Sequence, residues 1–418
     1  MIANLGVAVK STGGKIGPAP RQEAMALAQD GGQAFAVVAD RSGLSLAWPP
    51  GPALTVPGAT TMLTAIGAAP WPGTMDGRRR SGQVGRRRPG GSRMAENKLL
   101  YLSQADVVRT GLRMAEIIEA VEAAFREKGG GRTEMPPKPG IHPGHGDNFI
   151  HAMPAYIPAL GSAGVKWVAG YPGNQARGLP YITGLLILND PETGLPLCVM
   201  DCAWITAQRT GAATAVAARY LARPDSATLG ILGCGVQGRT NAQALGVLFP
   251  LRRLLAYDTN PEAARRFVSD ISGQLGIEVR AVTEPRQAVS GCDIVVTAGP
   301  ILRRPHRTIQ AGWLDEGAFA SLVDYDSYWH PDAMREVAKF CTDDIPQLLH
   351  TRDTGYFQDI PPIYADLGDI VAGKVPGREN RQERTMTANL GIALDDMAVA
   401  PLVYRRALEL SLGTWLPL

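Results

Sequence analysis

The run LGILGCGVQGRTNAQAL at residues 229–245 leaves few folds open to this chain. A short apolar segment ends in G-x-G-x-x-G and passes at once into a segment rich in Ala and Leu, the pattern of a strand, a tight turn and a helix. Each glycine answers a different steric demand. Gly233 lets the backbone turn, Gly235 leaves room for a pyrophosphate, and Gly238 lets the helix lie close to the strand. The amides that open the helix, from Val236 and Gln237 onward, would face the phosphates. Glycine-rich turns also join strands to helices for packing reasons alone, so the context decides. Arg253–Asp258 (RLLAYD) reads as a second short apolar strand ending in an acid, and Asp258 lies 20 residues beyond Gly238, where a ribose-binding carboxylate belongs. Asn260-Pro261-Glu262 reads as a helix start, so Asp258 is also placed to cap that helix.

The alternation continues. A helix is predicted over 261–275, a strand over 278–281, a helix over 285–290 and strands over 293–298 and 318–323, the last ending in Asp324-Tyr325-Asp326. Strands alternating with helices make a doubly wound parallel sheet of the Rossmann type, with ligands at the carboxyl ends of its strands. Before the glycine turn the pattern differs. Predicted strands at 98–102, 148–153, 163–169, 181–189 and 197–200 follow one another closely and suggest a separate mixed α+β domain. Between them, 133–145 (TEMPPKPGIHPGH) is too interrupted by proline to be helical, and it carries Lys138 on a stiff backbone. An alanine-rich helix over 204–221, with Arg209 in its first turns, leads into the nucleotide domain. From Ile360 the α/β pattern fades, and 389–412 reads as mostly helical. The expected division is 94–215 with 355–418 for the substrate and dimerisation domain, and 216–354 for the dinucleotide domain.

Residues 1–93 show neither helical nor strand period and end in the basic tract GRRRSGQVGRRRPGGSR, so they read as a disordered extension or a mis-assigned start, with Met94 as the functional beginning. They hold eleven Lys/Arg against four Asp/Glu, so the +3 of the whole chain conceals a net −4 over residues 94–418. A mildly acidic body argues against nucleic acid as a partner. No apolar run of 18 residues appears, which argues against a membrane span. The five cysteines lack paired spacing and read as reduced thiols of a cytoplasmic protein. His142 with His145, and Cys198 with Cys202, lack the spacing of a four-ligand zinc site, and no metal is expected.

Several motifs in order carry a resemblance. These are His151-Ala152-Met153-Pro154-Ala155-Tyr156, Gly164-Val165-Lys166-Trp167-Val168, Gly178-Leu179-Pro180 with Thr183-Gly184, Ala207-Gln208-Arg209-Thr210-Gly211, the glycine turn, and Asn389-Leu390-Gly391-Ile392-Ala393-Leu394-Asp395-Asp396. From about Met94 onward the chain resembles the ornithine cyclodeaminase/mu-crystallin family. The resemblance implies a homodimer that binds NAD, with Asp258 disfavouring NADP. It implies that Lys166 and Arg209 hold a substrate carboxylate and that Lys138 stands where an arginine is usual. It further implies a catalytic Asp326, with Asp324 as competitor, and contributions from Leu390 to the substrate site and Asn389 to the cofactor site. The implied reaction takes an L-amino acid through hydride transfer and an imine, ornithine giving proline and ammonia. An alanine-type dehydrogenase or imine reductase uses the same cations, and a non-catalytic nucleotide-binding protein is the reading of another class. Tyr325, Tyr328 and Trp329 replace the family's small residues around the acid.

Overall fold

The computed structural model describes residues 98–144 and 146–418, together with three earlier strands, β1 (Ala24–Asp30), β2 (Gln33–Asp40) and β3 (Gly43–Leu46). The three form an antiparallel meander in which Asp30 pairs with Gln33 and Asp40 with Gly43. The expectation of no strand in residues 1–93 is corrected for these segments. Two-residue gaps between short runs, one of them Gly31-Gly32, are hairpin signals that the Ala- and Gly-rich composition obscured. The basic tract at 77–93 and Met94 lie outside the described residues.

The remainder, taken by itself, begins with β4 (Lys98–Leu102), α1 (Gln104–Arg109) and α2 (Met114–Gly129). Ser103 caps α1 through a reciprocal pair of bonds with Asp106, and α2 buries Ile117, Ile118, Val121, Ala124 and Phe125 at helical spacing. Strands β5 (Gly140–Ile141), β6 (Phe149–Ile157), β7 (Ser162–Gly170), β8 (Ile182–Asn189) and β9 (Pro196–Asp201) follow. They form a seven-stranded sheet with β4 and β18 (Thr414–Pro417), in the order β18-β4-β9-β8-β7-β6-β5.

Helix α3 (Ala203–Leu221) then carries the chain across. Its small residues permit a close crossing: a Cβ on Gly211 would overlap the carbonyl of Thr240 in α4 (Val236–Leu248). The second sheet comprises β10 (Thr228–Leu232), β11 (Arg253–Tyr257), β12 (Glu278–Ala281), β13 (Ile294–Thr297), β14 (Phe319–Leu322), β15 (Lys339–Thr342), β16 (Ala365–Asp366) and β17 (Thr385–Ala388), every pair parallel. Its order is β12-β11-β10-β13-β14-β17-β15-β16, so the winding reverses between β10 and β13. Helices α5 (Pro261–Leu275), α6 (Pro331–Arg335), α7 (Ile345–Asp353) and α8 (Leu367–Val371) belong to this half, and α9 (Ala393–Glu409) returns to pack on β6 and β7.

Two expectations change. The α/β pattern does not fade at Ile360, because β16, α8 and β17 continue it, and β17 inserts between β14 and β15. The expected boundary at residue 354 therefore falls inside the parallel sheet. All four residues of β17 are buried, so no alternation marked it as a strand. The predicted helix at 285–290 is a short 3₁₀ turn, Pro285–Ala288.

Candidate active site

The glycine turn lies where the winding of the parallel sheet reverses, at the carboxyl ends of β10 and β13. Gly233 has φ 103°, and a Cβ there would press on the carbonyl of Ala298 at the end of β13. A Cβ on Gly238 would overlap the carbonyl of Gly233, whereas a Cβ on Gly235 would meet nothing within 4 Å. Two glycines serve packing and the third faces open space. Gly235 is the N-cap of α4 and offers no side-chain cap, so the amides that open this helix await an acceptor, and Val236 is well exposed beside them. These features fit a dinucleotide pyrophosphate. Asp258 accepts hydrogen bonds from the amides of Cys234 and Asn260, each at 2.8 Å, and so ties the glycine turn to the end of β11. The cap of α5 is Asn260, which accepts from the Glu262 amide at 3.0 Å, so Asp258 does not cap that helix. Gln237 lies in the first turn of α4, where its side-chain oxygen accepts from the Thr240 hydroxyl at 3.4 Å.

The three cations meet beyond the carboxyl ends of β15 and β17. Lys166 is on the inner face of β7, opposite Met153 and Leu186, and is 0% exposed. Its Nζ lies 2.6 Å from Asp396 and 3.3 Å from the Thr206 hydroxyl. Arg209 of α3 donates to Asp396 at 3.2 Å and to Asp395 at 3.4 Å. Gly391, at φ 72°, lets that guanidinium lie against the backbone, where a Cβ would strike it. Lys138 reaches in from the proline-rich loop and donates to the carbonyls of Leu390 at 3.0 Å and Gly391 at 3.3 Å. Gln347 of α7 fixes that loop by accepting from the Lys138 amide at 2.7 Å.

Burial sets the charges of this cluster. It pushes the Lys166 pKa down to about 8, with Arg209 adding repulsion and Asp396 opposing. Lys138 is likewise lowered to about 8, by burial first, with Asp343 opposing. Burial raises Asp395 to about 8 against the pull of Arg209. It raises Asp343 to about 6 against the pull of the Leu390 and Gly391 amides, Gly391 donating at 2.8 Å. Three cations here face the carboxyl groups of Asp343, Asp395 and Asp396.

The loop after β14 is arranged differently from expectation. Asp324 accepts from the Thr297 hydroxyl at 2.7 Å and the Gly299 amide at 2.8 Å, so it braces the ends of β13 and β14, and burial raises it to about 7. Asp326 accepts from the Phe357 amide at 3.2 Å, and its charged neighbours are Arg307 and Asp359; burial raises its pKa as well. The residue of this loop that meets the cations is Tyr325, whose ring centroid is 6.0 Å from Lys138 Nζ. Asn389 spends both amide hydrogens inside the protein, on Thr214 at 3.1 Å and Ser321 at 3.0 Å. Its side chain links α3 to β14.

Sequence reasoning assigned no role to Asp343, Asp395, Asp396 or His151. An acid at the carboxyl end of a parallel strand, and two adjacent acids opening an apolar helix, were the available signals. His151 stacks on Phe149 at 4.5 Å, and burial beside Lys138 lowers its pKa to about 3, so it stays neutral.

Residues 98–411 match the model of the ornithine cyclodeaminase/mu-crystallin family. An alanine dehydrogenase of Archaeoglobus fulgidus is 37% identical over 323 residues, 75% of this chain and 97% of that protein. The solved structure of the Thermococcus litoralis Δ1-pyrroline-2-carboxylate reductase in complex with NADH and L-proline is similar at TM-score 0.69 and 36% identity, over 76% of this chain and 99% of that one. An archaeal alanine dehydrogenase dimer with bound NAD is similar at TM-score 0.68 and 34% identity, over 76% of this chain and 99% of that one. The two-domain arrangement is common to these structures. Matched from β4 to the end of α9, the chain belongs to the ornithine cyclodeaminase/mu-crystallin family.

Proposed function

We propose that this chain is an NAD-linked enzyme that interconverts a small L-α-amino acid and its imine by hydride transfer at the α-carbon. The observation that carries the reading is the presence of two features beyond the carboxyl ends of one parallel sheet: an uncapped glycine turn after β10, and a buried cluster of three cations beside the ends of β15 and β17. Gly233, Gly235, Gly238, the opening amides of α4 and Asp258 would hold NAD, which supplies the hydride acceptor or donor. Lys166, Arg209 and Lys138 grip the substrate carboxylate and fix the face that the α-carbon presents, and positioning of this kind supplies much of a rate enhancement. Lys138 in place of arginine gives a point contact where a guanidinium would give a two-pronged one.

Between net oxidation or reduction and cyclodeamination of ornithine, the surroundings of the loop after β14 favour the first. A cyclodeaminase needs a carboxylate that serves the side-chain amine, and Tyr325 is the residue of that loop that faces the cations. The ornithine reading is supported by Asp326, which has one hydrogen-bonded oxygen and a pKa raised by burial, and so could carry a proton. A homodimer through the seven-stranded sheet is part of the proposal. The face turned away from Lys166 exposes Tyr101, Tyr156, Trp167 and Leu185, a stripe of the kind that subunit contacts cover.

Purified protein with NADH is given Δ1-pyrroline-2-carboxylate, or pyruvate with ammonia, while nicotinamide absorbance is followed; a parallel sample has L-ornithine with a trace of NAD. Consumption of NADH supports the reductase reading. Ammonia and proline formed with no net change in cofactor would replace it by the cyclodeaminase reading. No reaction in either sample would leave the nucleotide-binding reading.

A further inference from the structure

Tyr325 has φ 61°, and Phe357, whose ring lies 5.0 Å from that of Tyr325, has φ 52°. Left-handed backbone is unfavourable for a bulky side chain, so two such residues in contact are held there by their surroundings, an arrangement that concentrates at functional sites. The result is a placement. The Tyr325 ring is buried beside Lys138, with Tyr356 packed edge-on against it at 5.4 Å. Three aromatic rings thus close one side of the carboxylate grip.

Resting on the hydride-transfer reading above, we propose that Tyr325, backed by Tyr356 and Phe357, determines specificity by walling off the side-chain end of the substrate site. The chain takes an α-amino or α-imino acid with a short or cyclic uncharged side chain and excludes one ending in an ammonium. A methyl group or small ring buries well against aromatic faces. An ammonium brought to the same place would lose its hydration beside Lys138 and Arg209. The acids nearest the cations and the loop each hold a protein partner on at least one oxygen: Asp343 accepts from the Gly391 amide, Asp395 Oδ2 pairs with Arg209, and Asp326 Oδ1 accepts from the Phe357 amide. A buried charge without a partner is costly.

The test compares L-alanine, L-norvaline and L-ornithine as substrates with NAD for the full chain and for Tyr325→Ala, Tyr325→Phe and Tyr356→Ala. Norvaline has the carbon chain of ornithine without the terminal ammonium. The unaltered chain prefers alanine, then norvaline, then ornithine. Tyr325→Ala raises the norvaline-to-alanine ratio of kcat/KM by on the order of ten- to a hundredfold, the scale on which a pocket discriminates methylenes. Tyr325→Phe keeps the original order. Should Tyr325→Ala fail to fold, Tyr356→Ala, which alters a more exposed ring, moves the ratio in the same direction by less. Binding of pyrrole-2-carboxylate, a planar analogue that cannot react, measured by calorimetry with NAD present, weakens in both alanine variants. An unchanged ratio in the alanine variants, or ornithine turned over as readily as alanine by the unaltered chain, overturns the proposal and leaves the hydride-transfer reading standing. Turnover of none of the substrates in either direction removes that reading and this proposal with it.

Discussion

The glycine turn and the cation cluster both lie beyond carboxyl ends of strands of the parallel sheet and are built in opposite ways. The turn is largely local: six residues, a positive φ at Gly233 and close approaches at Gly233 and Gly238 define it, and the distant side chain that ties it is Asp258, 24 residues on from Cys234. The cluster is assembled from the proline-rich loop, β7, α3, the end of β15, the loop after β14 and the start of α9. It survives burial because its charges neutralise one another. A local site tolerates change elsewhere in the chain, whereas the cluster answers to every segment that supplies a charge.

The largest effect expected from this contrast is at Lys166. Lys166→Met leaves Asp396 and Arg209 buried with their balance upset, and should lower stability by about 3–5 kcal/mol. Turnover of a carboxylate substrate should fall by on the order of a hundred- to a thousandfold. Thermal melts and steady-state kinetics check both, and NAD binding should persist because the turn is independent. Next come the two glycines. Gly238→Ala, whose Cβ would overlap Gly233, should lower stability by about 1–3 kcal/mol. Gly235→Ala meets no protein atom, so its melting temperature without cofactor should be unchanged while NAD affinity falls on the order of tenfold, about 1.4 kcal/mol. Equal melting losses in the two variants would break the assignment of separate roles.

A smaller effect concerns pH. Lys138 and Lys166 must be protonated to hold a carboxylate, and burial lowers both to about 8. Substrate affinity should therefore be full below that pH and fall as pH rises through it, with NAD affinity flat over the same window. The smallest effect is expected at Asp326. Asp326→Asn should change turnover of an uncharged substrate by less than tenfold, whereas loss of a true acid–base group costs about a hundred- to ten-thousandfold. A drop of that larger size would return Asp326 to the centre of the mechanism.

The same contrast explains what could be read in the sequence. Gly233, Gly235 and Gly238 were legible because their roles follow from backbone geometry over a few bonds. Lys166 and Arg209 were legible through motif resemblance, but their partners were not, since nothing local says that Asp395 and Asp396 on α9 will reach α3 and β7. Asp258 was placed at the end of β11 as expected, yet its bond to the Cys234 amide needed the fold to appear. β17 was missed because a strand buried on both faces has no period. The bonds of Asn389 to Thr214 and Ser321 were not legible because those residues are distant in sequence.

The central claim is that hydride moves to and from the α-carbon of a small amino acid. The most direct measurement is to reduce Δ1-pyrroline-2-carboxylate, or pyruvate with ammonia, using NADH deuterated at the nicotinamide C4 and to locate the label in the product by mass spectrometry and NMR. Deuterium at the α-carbon of L-proline or L-alanine, on one face only, is the predicted result. Reaction with the label elsewhere, or no transfer to either substrate while NADH remains bound, would contradict the account.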